Sequence, residues 1–176
     1  MIAIITPYYT KLDDKGFSKR KEYLDETIRS VKSQITPLLH VIVDDGSELN
    51  VAEEIAREHD PRNLVIIKRQ RGTKDKLTCT NALNFGLECT LNNRLPTVDT
   101  KQIEYFTFLH SDDLVVNLNS RVKEMQDNNL GFIYTDAIIF KDPDVEGILW
   151  EGVNGSIDSV RSTFWTEGRM PYPTMT

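Results

Sequence analysis

Two cysteines in 176 residues, Cys79 and Cys89, match neither a zinc-ligand pair nor a Cys-x-x-Cys redox site. A disulfide-stapled scaffold is excluded, and a reducing compartment is the expected setting. Basic charge is not in excess: 21 Lys+Arg against 27 Asp+Glu leave a formal net charge of -6. That disfavours a domain that grips a nucleic-acid backbone by bulk charge, so no nucleic-acid partner is expected. No apolar run approaches the length of a membrane span, and the opening MIAIIT has no basic leader or small-residue cleavage site. Neither secretion nor a transmembrane segment is expected. The expected location is cytoplasmic, with peripheral membrane attachment through another part of a longer protein left open. Glycine is sparse, and no Gly-x-Gly-x-x-Gly follows any expected strand, which argues against a dinucleotide-binding dehydrogenase. What is present, 39% hydrophobic and 27% charged residues without repeats or low-complexity tracts, suits one soluble domain.

Hydrophobic period alternates between strand and helix. Ile2 to Ile5 is a short β-branched run, and after a polar loop Leu24, Ile28, Val31 and Ile35 recur at helical spacing. Pro37 ends that helix before a second β run, Leu38 to Val43. Ala52, Ile55 and Ala56 suggest a second helix, stopped by Asp60-Pro61 ahead of a third strand, Leu64 to Ile67. A helix with Leu83, Leu87 and Leu91 on one face follows, then a strand at Tyr105 to Leu109, a helix marked by Leu118, Val122 and Met125, and a fifth strand at Gly131 to Phe140. Parallel strands joined by crossover helices predict an α/β three-layer sandwich with a mostly parallel central sheet. Beyond Lys141 the pattern weakens into glycines, prolines and scattered aromatics, read as irregular chain or a short hairpin.

Ligands of open α/β sheets bind beyond the carboxyl ends of strands, where both acidic clusters of this chain fall. Asp44-Asp45 follows the second strand and Asp112-Asp113 the fourth, so the two clusters are candidates for one crevice. Each also reads as a turn with a helix cap, a role Asp and Ser fill well. Between them, Lys68 to Lys76 carries five basic residues in nine positions, either a phosphate loop or a solvated edge loop. If the chain leaves the fourth strand extended, His110 and Asp112 point one way and Asp113 the other. A phosphate about 4 Å from a carboxylate meets a repulsion of about 4 kcal/mol per charge pair at an effective dielectric near 20. An acidic crevice that takes phosphates therefore calls for a cation, and oxygen ligands suit Mg²⁺ or Mn²⁺.

Five segments in order, Ile4-Ile5-Thr6-Pro7-Tyr8-Tyr9, Tyr23 to Gln34, Val43-Asp44-Asp45-Gly46-Ser47, Asn84-Phe85-Gly86 and Phe108-Leu109-His110-Ser111-Asp112-Asp113, resemble those of the family 2 glycosyltransferases. The resemblance implies a GT-A fold, a Rossmann-like sandwich, and a donor site for a nucleoside diphosphate sugar, most often UDP-linked. By the same resemblance Thr6, Pro7 and Tyr9 border the base, and Asp44 or Asp45 accepts from uracil or ribose. Asp112, with Asp113 beside it, lies at the metal position, His110 and Ser111 belong to the same loop, and Arg71 or Lys76 lies near the nucleotide. The family typically inverts the anomeric centre: an acceptor hydroxyl attacks, a carboxylate base assists, and cation and basic loop stabilise the departing diphosphate.

The chain departs from that pattern in two places. His110 stands at the first position of the family's Asp-x-Asp signature; it can hydrogen-bond ribose, ligate metal when neutral, or be a strand-end histidine satisfied by backbone. The family's base lies in an acidic pair well after this loop, beyond the reach of this chain. Residues 1 to 176 are therefore expected to form one nucleotide-sugar-binding domain lacking the C-terminal acceptor and base region, with Asp136 the one stand-in base nominated. A carbohydrate or lipid-linked acceptor is implied. Two other readings are a noncatalytic nucleotide-sugar binding module and a sugar-phosphate nucleotidyltransferase. The latter needs a Gly-rich loop where Thr6-Pro7-Tyr8-Tyr9 stands.

Overall fold

Hydrophobic residues dominate Ile2–Tyr8 (β1) and Leu38–Asp44 (β2), and both strands are buried along their whole length, as the inner strands of a parallel sheet covered on both faces must be. The computed structural model describes residues 1–11, 17–59, 61–71, 79–96, 98–131, 137–139 and 148–150. With Leu64–Lys68 (β3) and Tyr105–Phe108 (β4), these strands form a four-stranded, all-parallel sheet in the order β3-β2-β1-β4. Phe17–Lys32 (α1), Val51–Arg57 (α2), Cys79–Leu91 (α3) and Leu118–Asp127 (α4) supply the outer layers. The chain is thus an α/β three-layer sandwich around a parallel central sheet, as its sequence period implies.

Side-chain parity along the strands sorts the core into two layers. Ile5, Val41, Val43 and Val65 meet Ala82 and Cys89 of α3 on one face. On the other face, Ile4 lies with Val31 of α1 and Val122 of α4, while Ile42 lies with Leu24, Ile28 and Ile55 of α1 and α2. The α3 face corrects the sequence reading. Small residues, Ala82, Gly86, Cys89 and Thr90, point inward, whereas Leu83 and Leu87 are half-buried and Leu91 is 63% exposed. The reason is proximity: a Cβ on Gly86 would lie 2.6 Å from Ile5 Cγ2 and 2.7 Å from Val43 Cγ2, so the helix axis sits closer to the sheet than leucines permit.

Two further expectations are corrected. Ile35 is 90% exposed, because α1 ends at Lys32 and Pro37 biases the preceding residue away from helix. The fifth strand does not extend the parallel sheet: Ala137–Ile139 (β5) pairs antiparallel with Ile148–Trp150 (β6) in a separate two-stranded sheet. The β5–β6 connection is too short for a parallel crossover, which needs roughly a dozen residues or more, so these two strands pair antiparallel. Of the tail beyond Lys141, read as irregular chain or a short hairpin, only Ile148–Trp150 falls within the described residues, and it pairs with β5. Among the described residues no helix is long and apolar enough to cross a membrane.

Candidate functional site

Reversal of strand order between β1 and β4 makes a topological switch point at the carboxyl ends of the strands. Pairing of β1 with β4 covers only Ile2 to Ile5 and closes with Leu109 N–H donating to the Ile5 carbonyl at 3.1 Å. Pro7, two residues farther, faces the same edge of β1 after β4 has left. Its missing N–H therefore deprives no ladder of a donor. On the other edge β1 stays paired with β2 to Tyr8–Asp44, and Asp45 N–H extends the pairing to the Tyr8 carbonyl at 2.8 Å. A crevice therefore opens between the Pro7–Tyr9 edge and the loop after β4.

Both acidic clusters lie along this rim, with β1 between them. Adjacent strands are about 4.8 Å apart, so the exits of β2 and β4 are roughly 10 Å from each other. Asp44 is buried, and its Oδ1 accepts from Ser47 N–H at 2.9 Å, closing the turn that Gly46 makes possible at φ +75°. Ser47 Oγ in turn accepts from Thr10 N–H at 3.1 Å, tying the β1 and β2 exits together. The turn reading of Asp-Asp-Gly-Ser thus describes Asp44, whereas Asn50 at the N-cap of α2 makes no side-chain cap.

Asp45 is 3% exposed and neutralised from two sides. Its Oδ1 accepts from Arg69 Nη1 at 2.5 Å, and its Oδ2 accepts from Arg71 Nε at 2.9 Å and Nη2 at 2.7 Å. Charge-assisted forks of this kind are among the strongest hydrogen bonds in proteins. Arg71 also lies over the Tyr9 ring, 3.8 Å from its centroid, within cation–π range. The carboxylate expected to meet a ligand is therefore covered, and a Tyr9–Arg71 pair stands at the rim in its place. Lys68 turns away to Asn50 Oδ1 and Glu53 Oε1, both at 2.6 Å, and the Glu53 hydrogen bond holds its ammonium pKa above the ordinary lysine value. The described basic residues of the 68–76 run thus neutralise the protein's own carboxylates. Lys76 lies outside the described residues, as does Asp136.

Thr6 points into the layer below the crevice, fully buried, its Oγ1 2.8 Å from His40 Nε2. Burial, reinforced by the charge of His59, lowers the His40 pKa to about 3, so the ring is neutral. Thr6 thus supports the β1 end from beneath, while Pro7 is buried and Tyr9 half-exposed.

The exit from β4 is not extended. Asp113 N–H donates to the His110 carbonyl at 3.2 Å, so His110 to Asp113 is a tight turn. Asp112 at its tip is exposed, and His110, Ser111 and Asp113 are half-buried. The alternation argument is replaced by turn geometry, although one Asp still stands clear of the other. Among the described residues no group of three or more His, Cys, Asp or Glu side chains is arranged to hold a metal ion. The donor set is a single exposed carboxylate with two neighbours. Its chemistry fits a hard cation shared with a ligand's phosphates, not one caged by protein alone.

Residues absent from the sequence reading of the site stand behind this turn: Thr27, Ser30 and Gln34. Thr27 Oγ1 donates to the Asp113 carbonyl at 2.9 Å, and Ser30 Oγ accepts from Val115 N–H at 3.2 Å. Gln34 Nε2 donates to the Val115 carbonyl at 3.1 Å, and its Oε1 accepts from Leu118 N–H at 3.0 Å. The available signal was a row of polar side chains interleaved with the apolar stripe of Leu24, Ile28 and Val31.

No curated protein matches the chain. Among solved structures, Staphylococcus aureus TarS 1-349 superposes with a TM-score of 0.58 at 16% identity, covering 82% of this chain and 37% of that one. TarS 1-349 in complex with UDP gives the same values, and a longer TarS structure gives 0.54 at 17% identity, covering 84% of this chain and 23% of that one. The chain thus spans well under half the length of these proteins, and the likeness is one of fold. The family model described as glycosyl transferase family 2 matches residues 4–149. That span runs from β1 through the acidic turn of β4 to the β5–β6 pair, and the chain belongs to glycosyl transferase family 2.

Proposed function

We propose that this chain is the donor-binding part of an inverting, metal-dependent glycosyltransferase that takes a UDP-linked nucleoside diphosphate sugar. The observation that carries the reading is that β1 and β4, whose exits carry Tyr9 and the exposed Asp112 turn, are neighbours at the switch point of a family 2 chain. A structural neighbour solved in complex with UDP supports the choice of nucleotide.

In this reading the Tyr9–Arg71 pair and Pro7 border the base, and Arg71 swings or slides to admit it. Asp44 and Asp45 act through the groups they hold: Asp44 sets the turn, and Asp45 fixes Arg69 and Arg71. Asp112, assisted by Asp113 and His110, would hold Mn²⁺ or Mg²⁺ together with the diphosphate. The cation's chemistry is to neutralise charge that develops on the departing diphosphate. Ser111 and His110 are placed for ribose or phosphate oxygens, and Lys76 is assigned to the nucleotide from sequence alone. The acceptor hydroxyl, on a carbohydrate or lipid-linked acceptor, attacks the anomeric carbon as the bond to the diphosphate oxygen breaks. A carboxylate takes the hydroxyl proton. Asp136 is the in-chain candidate for that base, and a residue of a C-terminal continuation is the preferred one. A cytoplasmic location fits a nucleotide-sugar donor.

His110 at the first signature position favours a second reading, a noncatalytic nucleotide-sugar binding module, which predicts donor binding without turnover. Calorimetric titration of UDP and GDP into chelator-treated protein, with and without Mn²⁺, tests the first. UDP-selective binding that requires Mn²⁺ is expected; no binding of any nucleotide would refute the donor site.

A further inference from the structure

From the hydrogen bonds between α1 and the segment after β4, we infer that Thr27, Ser30 and Gln34 are positioning residues that set the acidic turn for nucleotide binding. The inference rests on the donor-site reading above.

The segment from Leu109 to Asn117 is irregular, and it must leave the sheet, turn at His110 to Asp113 and enter α4. Loop backbone of this kind carries donors and acceptors that a buried setting leaves costly to strand. The three α1-side residues answer those groups in chain order. Thr27 takes the Asp113 carbonyl, Ser30 the Val115 amide, and Gln34 the Val115 carbonyl and the Leu118 amide. Gln34 thereby acts as a peptide group would in a strand pair, donating and accepting along one edge. It also does the work of an N-cap for α4. Asn117, at the cap position, has φ +56° and makes no side-chain cap, while the first helical amide goes to Gln34.

The anchors are themselves held. Ser30 Oγ donates to the Thr27 carbonyl at 2.8 Å, and Gln34 Nε2 also reaches the Ser30 carbonyl at 3.0 Å. Thr27 is fully buried, so its rotamer is fixed by packing as well as by the Asp113 carbonyl. Leu118 and Val122 pack with Val31 of α1 in one apolar cluster, which keeps α1 and the helix that Gln34 caps in register. The carboxylate of Asp112 is exposed at the tip of a turn whose next residue is fastened to α1. A ligand that needs that carboxylate at a set place thus depends on a buried hydroxyl on another element.

The test uses this chain with Thr27→Val, which removes the hydroxyl at nearly constant shape, Thr27→Ser, which restores it, and Gln34→Leu, on a less buried position. UDP affinity in the presence of Mn²⁺ and amide exchange across residues 110 to 118 are measured on each. Thr27→Val and Gln34→Leu are expected to bind UDP about fivefold to tenfold more weakly, the scale of one lost hydrogen bond. The Leu118 amide in Gln34→Leu should exchange about tenfold faster, with β1 and β2 amides unchanged. Thr27→Ser should recover most of the affinity. Undiminished UDP binding by Thr27→Val and Gln34→Leu would overturn the inference, and so would a Thr27→Ser variant no better than Thr27→Val, which would mark a packing loss. Absence of UDP binding by the unmodified chain is a different result: it removes the donor-site reading itself, and the positioning role with it.

Discussion

Replacing Gly86 by Ala sets two effects of known sign against each other. In a helix interior, Ala is favoured over Gly by about 1 kcal/mol, so on a free face the substitution would stabilise. Here the new methyl carbon would lie 2.6 Å from Ile5 Cγ2 and 2.7 Å from Val43 Cγ2, against an ordinary carbon–carbon contact of about 3.5–4.0 Å. Neither neighbour can yield cheaply, since Ile5 and Val43 are fully buried, β-branched and stiff about χ1. Relief requires α3 to move off the sheet by about 1 Å, opening gaps around Ala82 and Cys89. Overpacking typically costs about 1–3 kcal/mol, and two simultaneous contacts on rigid strands place this site at the upper end. After the propensity gain, the net loss is about 1–2 kcal/mol. Urea denaturation reads that directly, and thermal unfolding should show a fall of about 2–8 °C for a chain of this size. Combining Gly86→Ala with Val43→Ala should cost less than the sum of the two single changes, because the second methyl group is then gone. A Gly86→Ala variant as stable as the parent would refute the close-approach argument.

Asp45→Ala leaves Arg69 and Arg71 facing each other without their shared carboxylate, and a loss of about 3 kcal/mol is expected in urea denaturation, more than Asp44→Asn produces. Asp112→Ala should abolish any Mn²⁺ dependence of UDP binding, read by calorimetry, with a smaller loss for Asp113→Ala; equal losses would contradict the exposed position of Asp112 alone at the turn tip. Stability should fall as pH drops below 6.5: His40 has its folded pKa lowered to about 3, so the unfolded chain binds the extra proton and the stabilisation present above 6.5 is lost progressively down to about 3. Urea midpoints between pH 6.5 and 4.5 check this, and His40→Gln should flatten the slope. Below about 4 a further decline is expected from Asp25. Burial opposes its ionisation, but hydrogen bonds from Arg29 and His59 outweigh that and hold its pKa below 3.8, so its contribution is lost as pH falls through that lowered value.

Much of this protein was legible from the chain because the signals were local. β-branched runs ending in Asp-Asp located β2, and the apolar period of Leu118, Val122 and Met125 located α4, all three residues buried as expected. The exit loops of β2 and β4 fell at strand carboxyl ends because strand and helix alternate, and that alternation with right-handed crossovers leaves few topologies. Which face of α3 turns inward was not local. A leucine stripe suggests one face, but the helix packs through Gly86 because Ile5 and Val43 come up close beneath it, a distance that only the assembled sheet sets. The fate of the charges was equally non-local. Asp45 and Arg71 are 26 residues apart, and nothing along the chain says that one neutralises the other.

Sequence by itself therefore determined the order of elements, the family and the end of the sheet at which the acidic loops lie, since each follows from period, motif order or strand direction. Tertiary structure alone decided which polar groups remain for a ligand. Asp44, Asp45 and Thr6 are engaged by Ser47, the arginines and His40, and Asp112 is held out on a turn fastened to α1. The physical reason is that a buried polar group must find its partner within about 3 Å, and those partners come from elements joined only by folding.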